Sequence, residues 1–157
     1  MNESLLVLVE SPASGTTAEE IHRVWLQAYA EEAVLLGAVD FPPLRVTVAD
    51  LRASTEAFFV ARLGRQLVGG ISVERADEGP NISALVVAPA FQRRGIAGRL
   101  LAEVLRTHGA SPLTVQTGAK NTPALALYAR MGFQPVRRWE VGKEKLQLVK
   151  LLRVPLS

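Results

Sequence analysis

Cysteine is absent from the 157 residues. Its absence excludes disulfides, thiolate metal sites and a covalent acyl intermediate on sulfur, and it suits a reducing compartment. Long apolar runs are missing too. The run Leu5-Leu6-Val7-Leu8-Val9 has no basic segment before it and is too short for a signal peptide. No stretch reaches the length needed to span a bilayer, so the expectation is a cytoplasmic protein. Nor does one sign of charge dominate, since 18 Lys and Arg stand against 15 Asp and Glu. The basic residues are mostly arginines dispersed along the chain, without the concentrated stripe and adjacent aromatics of a nucleic-acid binder. The tight basic groups are Arg93-Arg94 with Arg99, and Arg137-Arg138, enough to give a small anionic ligand a local positive field.

What the chain does have is 48% apolar and 21% charged residues, the balance of a globular protein, at a length that buries a core without staples. One domain over residues 1–157 is expected. Leu5 to Val9 reads as a strand. Thr17 with Glu20 reads as the capping box of a helix whose apolar positions Ile21, Val24, Trp25, Ala28 and Tyr29 run on to a stop at Gly37. Asp40-Phe41-Pro42-Pro43 is expected to be irregular, with a short helix from Val48 to about Ala53 after it. Phe58 to Arg62 and Leu67 to Glu74 form a hairpin about Gly64-Arg65. Asp77-Glu78-Gly79-Pro80 breaks the pattern before a strand over Ile82–Val87, apolar on both faces beyond Ser83. A helix follows from Gly95 to His108-Gly109, then a strand over Pro112–Gln116, a helix over Asn121–Met131, and strands over Phe133–Trp139 and Leu146–Leu152. The order β-α-α-β-β-β-α-β-α-β-β implies an α/β fold on a mixed sheet, with a right-handed parallel crossover from Ile82 to Gln116.

The stretch from Val86 to Gly98 carries the chemistry. A buried strand runs into a turn, and a helix then begins at a glycine. Unpaired backbone N–H groups and the positive end of the helix dipole make such a start an anion site. Gly95 and Ala97 are small enough to let phosphate oxygens reach the main chain, and Arg93 and Arg94 add charge, which points to a pyrophosphate. The other reading is a structural helix start with two solvated arginines.

Gln92-Arg93-Arg94-Gly95-Ile96-Ala97 resembles the acetyl-CoA signature of the Gcn5-related N-acetyltransferase (GNAT) family: Gln or Arg, two residues, Gly, one residue, then Gly or Ala. Asn121 to Phe133 resembles the family's second motif, an asparagine before a tyrosine-bearing helix that ends in Gly-Phe. The resemblance implies the GNAT acyl-CoA N-acyltransferase fold, acetyl-CoA as cosubstrate with no metal, and transfer of the acetyl group to a primary amine. It assigns the pyrophosphate to Gln92, Arg93, Arg94, Gly95, Ile96, Ala97 and Gly98. The pantetheine arm falls to the main chain of Leu85, Val86 and Val87 and to Asn121. The Leu85 N–H is implied as oxyanion donor and Tyr128 as general acid on the departing sulfur. Tyr128 as a core anchor, Asn121 as a mere N-cap, and the strand residues as plain core are the competing readings.

Where several relatives carry a base glutamate, this chain has Ser83 and Gln116, neither of which is a carboxylate. Glu32, Asp40, Glu74 and Glu78 are the candidates to replace it, with a water chain as the other route. His22 and His108 read as surface or capping residues. Trp25, Tyr29, Phe41, Pro42 and Pro43 are expected to line the acceptor's entrance, with Glu32 or Asp40 drawing a cation, or else simply to pack the first helix. Without cysteine, direct transfer in a ternary complex is the simpler mechanism. A non-catalytic acetyl-CoA-binding module and an interaction scaffold remain as alternatives, the latter as a homodimer through an apolar edge at Val149-Lys150-Leu151-Leu152. No nucleic-acid or membrane partner is expected.

Overall fold

A computed structural model describes residues 4–155. Thirteen segments of regular structure follow in order, beginning with strand β1 (Leu5–Val9) and helix α1 (Thr17–Leu36). A 3₁₀ turn (Pro42–Arg45) and helix α2 (Val48–Ala53) lead to β2 (Ala57–Leu63), β3 (Gln66–Ala76) and β4 (Gly79–Val87). After a second 3₁₀ turn (Pro89–Phe91) come α3 (Ile96–His108), β5 (Leu113–Gly118), α4 (Thr122–Arg130), β6 (Gln134–Val141) and β7 (Leu146–Arg153). The strand and helix order is the one expected.

The seven strands form one mixed sheet in the spatial order β1-β2-β3-β4-β5-β7-β6. Alternation along the strands divides the core into two layers. Phe58 and Val60 of β2 and Ala84 and Val86 of β4 pack under α1 and α2 with Ile21, Val24 and Leu51. Phe59, Ala61, Ile71 and Val87 face the other way, against Ile96, Leu100, Leu101 and Val104 of α3 and Leu127 and Tyr128 of α4. These period-2 and period-3.6 patterns meet on both faces of the sheet. Among the described residues, no helix is long and apolar enough to cross a membrane.

Four expectations change. The helix start lies one residue earlier than the capping box implied. Thr16 is the N-cap, and the Thr17 hydroxyl instead donates to Glu10 at 3.1 Å, while Glu20 is drawn to Arg62. The Pro42-Pro43 segment is a short 3₁₀ turn, because proline's fixed φ suits a first helical turn. Strand β4 starts at Gly79 and so takes in Pro80; proline is tolerated at the beginning of a strand, where fewer ladder bonds depend on its missing N–H. The Val149–Leu152 run is no edge. Strand β7 lies between β5 and β6 with Val149 and Leu151 fully buried, and the polar, exposed β6 takes the rim instead. The apolar strand of the hairpin goes inside because it has more surface to withdraw from water. That leaves the proposed dimer edge without a basis.

Two features position the site. The parallel pairing of β4 with β5 consists of Asn81 with Thr114 and Ile82 with Val115; beyond Ile82 the two strands part. At the far end of β5, a side chain on Gly118 would collide with Leu36, so the last turn of α1 lies directly against this strand.

Candidate active site

The parted strands open a cleft of about 1000 Å³. Ser83 to Val87 line one wall, Val115 to Gly118 the other, with α1 and α4 across the top and the start of α3 at one end. Strand ends diverging toward a helix N-terminus form the crevice where open α/β sheets bind their ligands.

At the α3 end, Gly95 is the N-cap, held in the left-handed region at φ 78°, and Arg93 shares that region at φ 64°. Left-handed residues in such a turn help gather backbone N–H groups into an anion-binding concavity. The first turn of a helix has no carbonyl for its N–H groups; here the Arg99 N–H is the one that reaches back to Gly95 O. A Cβ on Gly95 would meet no atom within 4 Å, so the space over this turn is open. Gly95 and Arg93 line the cleft together with Gln92, Ile96, Ala97 and Gly98. Gln92 folds back, its Nε2 donating to Val87 O at 3.2 Å, and Arg94 lies over the Phe91 ring at 5.2 Å. These contacts fix the turn against the end of β4. Small residues, open space and nearby guanidinium groups suit a phosphate-bearing ligand.

At the other end, Asn121 caps α4, its Oδ1 accepting from Ala124 N at 3.3 Å, while its Nδ2 donates to Glu32 Oε1 at 2.5 Å. Thus both the capping role and a place at the cleft hold. Tyr128 is buried, packs edge-on to Phe133, and lines the cleft with Tyr29. Burial, reinforced by the nearby Glu32 charge, pushes both phenols well above their ordinary range. Each therefore keeps its proton at neutral pH. Glu32, half-buried, has its own carboxyl raised by burial, against the opposing effect of the Asn121 hydrogen bond.

Of the residues expected around the acceptor, Tyr29, Glu32, Phe41 and Pro43 line this cleft. Trp25 lies deeper, its indole N–H donating to Pro43 O at 2.8 Å, and faces a separate hollow. Asp40 is exposed and paired with Arg45, and Glu78 is paired with Lys150; neither lines the cleft. Glu74 does line it, and its carboxylate accepts from Asn81 Nδ2 at 2.8 Å. His22 Nε2 is 2.9 Å from Val46 O, a bridge from α1 to the segment before α2. Glu56 carried no sequence signal and lines the separate hollow, touching the cleft only through Ser83. Just before β2, outside any motif, it accepts a hydrogen bond from the Ser83 hydroxyl, which also meets Ser72 Oγ at 2.7 Å.

A sheet parted at a parallel crossover beside a glycine-capped helix defines a class of fold, and solved structures share it. YncA from Salmonella typhimurium, solved with its cofactor acetyl-CoA, superposes with a TM-score of 0.74 at 14% identity, over 98% of this chain and 95% of that one. Sequence comparison narrows the class. An acetyltransferase (GNAT) domain model matches residues 54–135, and N-alpha-acetyltransferase RimI of Mycobacterium tuberculosis is 32% identical over 69% of this chain and 71% of its own. The chain belongs to the GNAT acetyltransferase family. UPF0157 protein YqkA of Bacillus subtilis is 39% identical over 76% of this chain, and the match spans only 35% of that longer protein.

Proposed function

We propose that the protein transfers an acetyl group from acetyl-CoA to a primary amine by direct attack within a ternary complex. The observation that carries this reading is the gap between β4 and β5, which runs from the Gly95 turn to the Tyr128 phenol. The acetyl-CoA held by YncA, with its similar fold, supports the choice of ligand. The name of RimI supports an amine acceptor, with a peptide N-terminus as one class to test.

The turn from Gln92 to Gly98 would take the pyrophosphate on its backbone N–H groups, with Arg93 and Arg94 adding charge. The main chain of Leu85, Val86 and Val87, on the side of β4 that β5 leaves free, would bond the pantetheine arm like an added strand, with Asn121 opposite. The Leu85 N–H would hold the oxyanion that forms as nitrogen attacks the thioester carbon. Tyr128, protonated at neutral pH, would give its proton to the departing sulfur.

Initial rates with acetyl-CoA and a panel of amines, including peptide N-termini, should give intersecting double-reciprocal lines. Parallel lines would contradict direct transfer. Tyr128→Phe should lower kcat by about a hundredfold while acetyl-CoA affinity stays within about twofold. Unchanged turnover would remove the acid role from Tyr128.

A further inference from the structure

We infer that Glu32 is the catalytic base, taking a proton from the acceptor's ammonium group from a position on α1 rather than on the central strands. The inference rests on the acetyltransferase reading above.

The two strand positions that could carry a base hold Ser83 and Gln116. The carboxylates that line the cleft, and Glu56 behind Ser83, differ in what they have free. Glu56 has both oxygens engaged, Oε1 by Ser83 and Oε2 by Ser54. Glu74 accepts from Asn81, and Glu31, although it lines the cleft, is exposed to solvent. Glu32 is half-buried and lines the cleft, and its one hydrogen bond among the described residues goes to Oε1 from Asn121. That bond orients the carboxylate through Oε1 and does not engage Oε2. Asn121 is itself fixed as the cap of α4, one helix with Tyr128, so the base and the acid are held in one frame. The contact of Leu36, four residues after Glu32, with Gly118 holds the turn of α1 that carries Glu32 beside β5.

Burial raises the Glu32 carboxyl above its ordinary value, against the Asn121 hydrogen bond, and a raised carboxylate is the stronger base. Tyr29 and Glu31 on its own helix, Glu74 on β3, Arg93 before α3, and Tyr128 and Arg130 on α4 face the same cleft. Tyr29 and Tyr128 stay neutral there, so they add no charge beside the Glu32 carboxyl.

The protons balance. One leaves the ammonium for Glu32, freeing the nitrogen pair to form the C–N bond. As the C–S bond breaks, Tyr128 protonates sulfur, and a second nitrogen proton restores the phenol. The third stays on the amide, and Glu32 returns its proton to solvent before the next turnover.

The test compares wild type, Glu32→Gln and Glu32→Asp by kcat against pH at saturating acetyl-CoA and amine, with acetyl-CoA affinity measured calorimetrically. Wild type should show an acidic limb as Glu32 protonates. Glu32→Gln, which can still accept the Asn121 bond, should lose that limb and about a hundredfold in kcat, with acetyl-CoA affinity unchanged. Glu32→Asp should keep the limb and recover part of the rate. Wild-type turnover with an unaltered Glu32→Gln profile overturns the assignment alone, as does a loss confined to acetyl-CoA affinity. Absence of wild-type turnover with every amine overturns the acetyltransferase reading and this inference together.

Discussion

Arg62 joins elements far apart in the chain. From β2 its guanidinium donates to Glu10, just after β1, at 2.7 Å and to Glu20 of α1 at 2.8 Å, all three side chains partly buried. Hydrogen bonding by Arg62 is the chief reason both carboxyls lie below the ordinary carboxylate value of 4.5. The sign follows directly. A depressed folded-state pKa means that the unfolded chain binds more protons in acid, so this contribution is present above about pH 4.5 and lost as pH falls through the lowered values. Denaturant titrations across pH should show wild-type stability falling in acid. Arg62→Leu should be less stable at neutral pH and should show a smaller acidic decline, because Glu10 and Glu20 then face each other unpaired while Asp50 and Glu103 keep their lowered carboxyls. None of this was legible beforehand. An ion pair between residues 52 apart leaves no periodic trace, and Thr17-x-x-Glu20 looked like a cap because the same residue types serve both ends.

Helix α3 and the turn before it were the most legible element, because glycine punctuation and an apolar face coincide there. The Gly95→Val variant separates the folding of the helix from the phosphate role proposed for its start. Its side chain would meet open space, so the folding cost should be that of a β-branched residue at φ 78°, about 1–2 kcal/mol. Acetyl-CoA affinity should fall by at least about tenfold, a loss of roughly 1.4 kcal/mol. Equal affinity would make the turn a structural helix start only. The final hairpin was less legible. Its two strands were readable, but strand periodicity says which face a residue takes and not which neighbour its strand pairs with. The insertion of β7 could have been drawn from Leu148, Val149, Leu151 and Leu152 beside the polar β6. Glu56 had no such signal, since its contact with Ser83 is made only by the juxtaposition of distant segments in the fold.

At the scale of the molecule, the gap between β4 and β5 should make ligand binding and stability one quantity. With free acetyl-CoA a hundredfold above its dissociation constant, the folded state should gain about 2.7 kcal/mol, raising Tm by roughly 5–10 °C. Thermal denaturation with and without acetyl-CoA checks this, and no shift in wild type would contradict occupation of the gap. The same gap falls at a seam in the covalent order. Everything from β1 through α3 belongs to residues 5–108, and everything from β5 through β7 to residues 113–153. Their sheet halves meet through two residue pairs, while the core layer beneath α3 and α4 draws on both. The protein is therefore built like a natural pair of complementing fragments with a single covalent tether, the turn at Gly109–Pro112. A break in that tether would leave two halves whose shared apolar layer brings them together and whose common cleft is complete only when they meet.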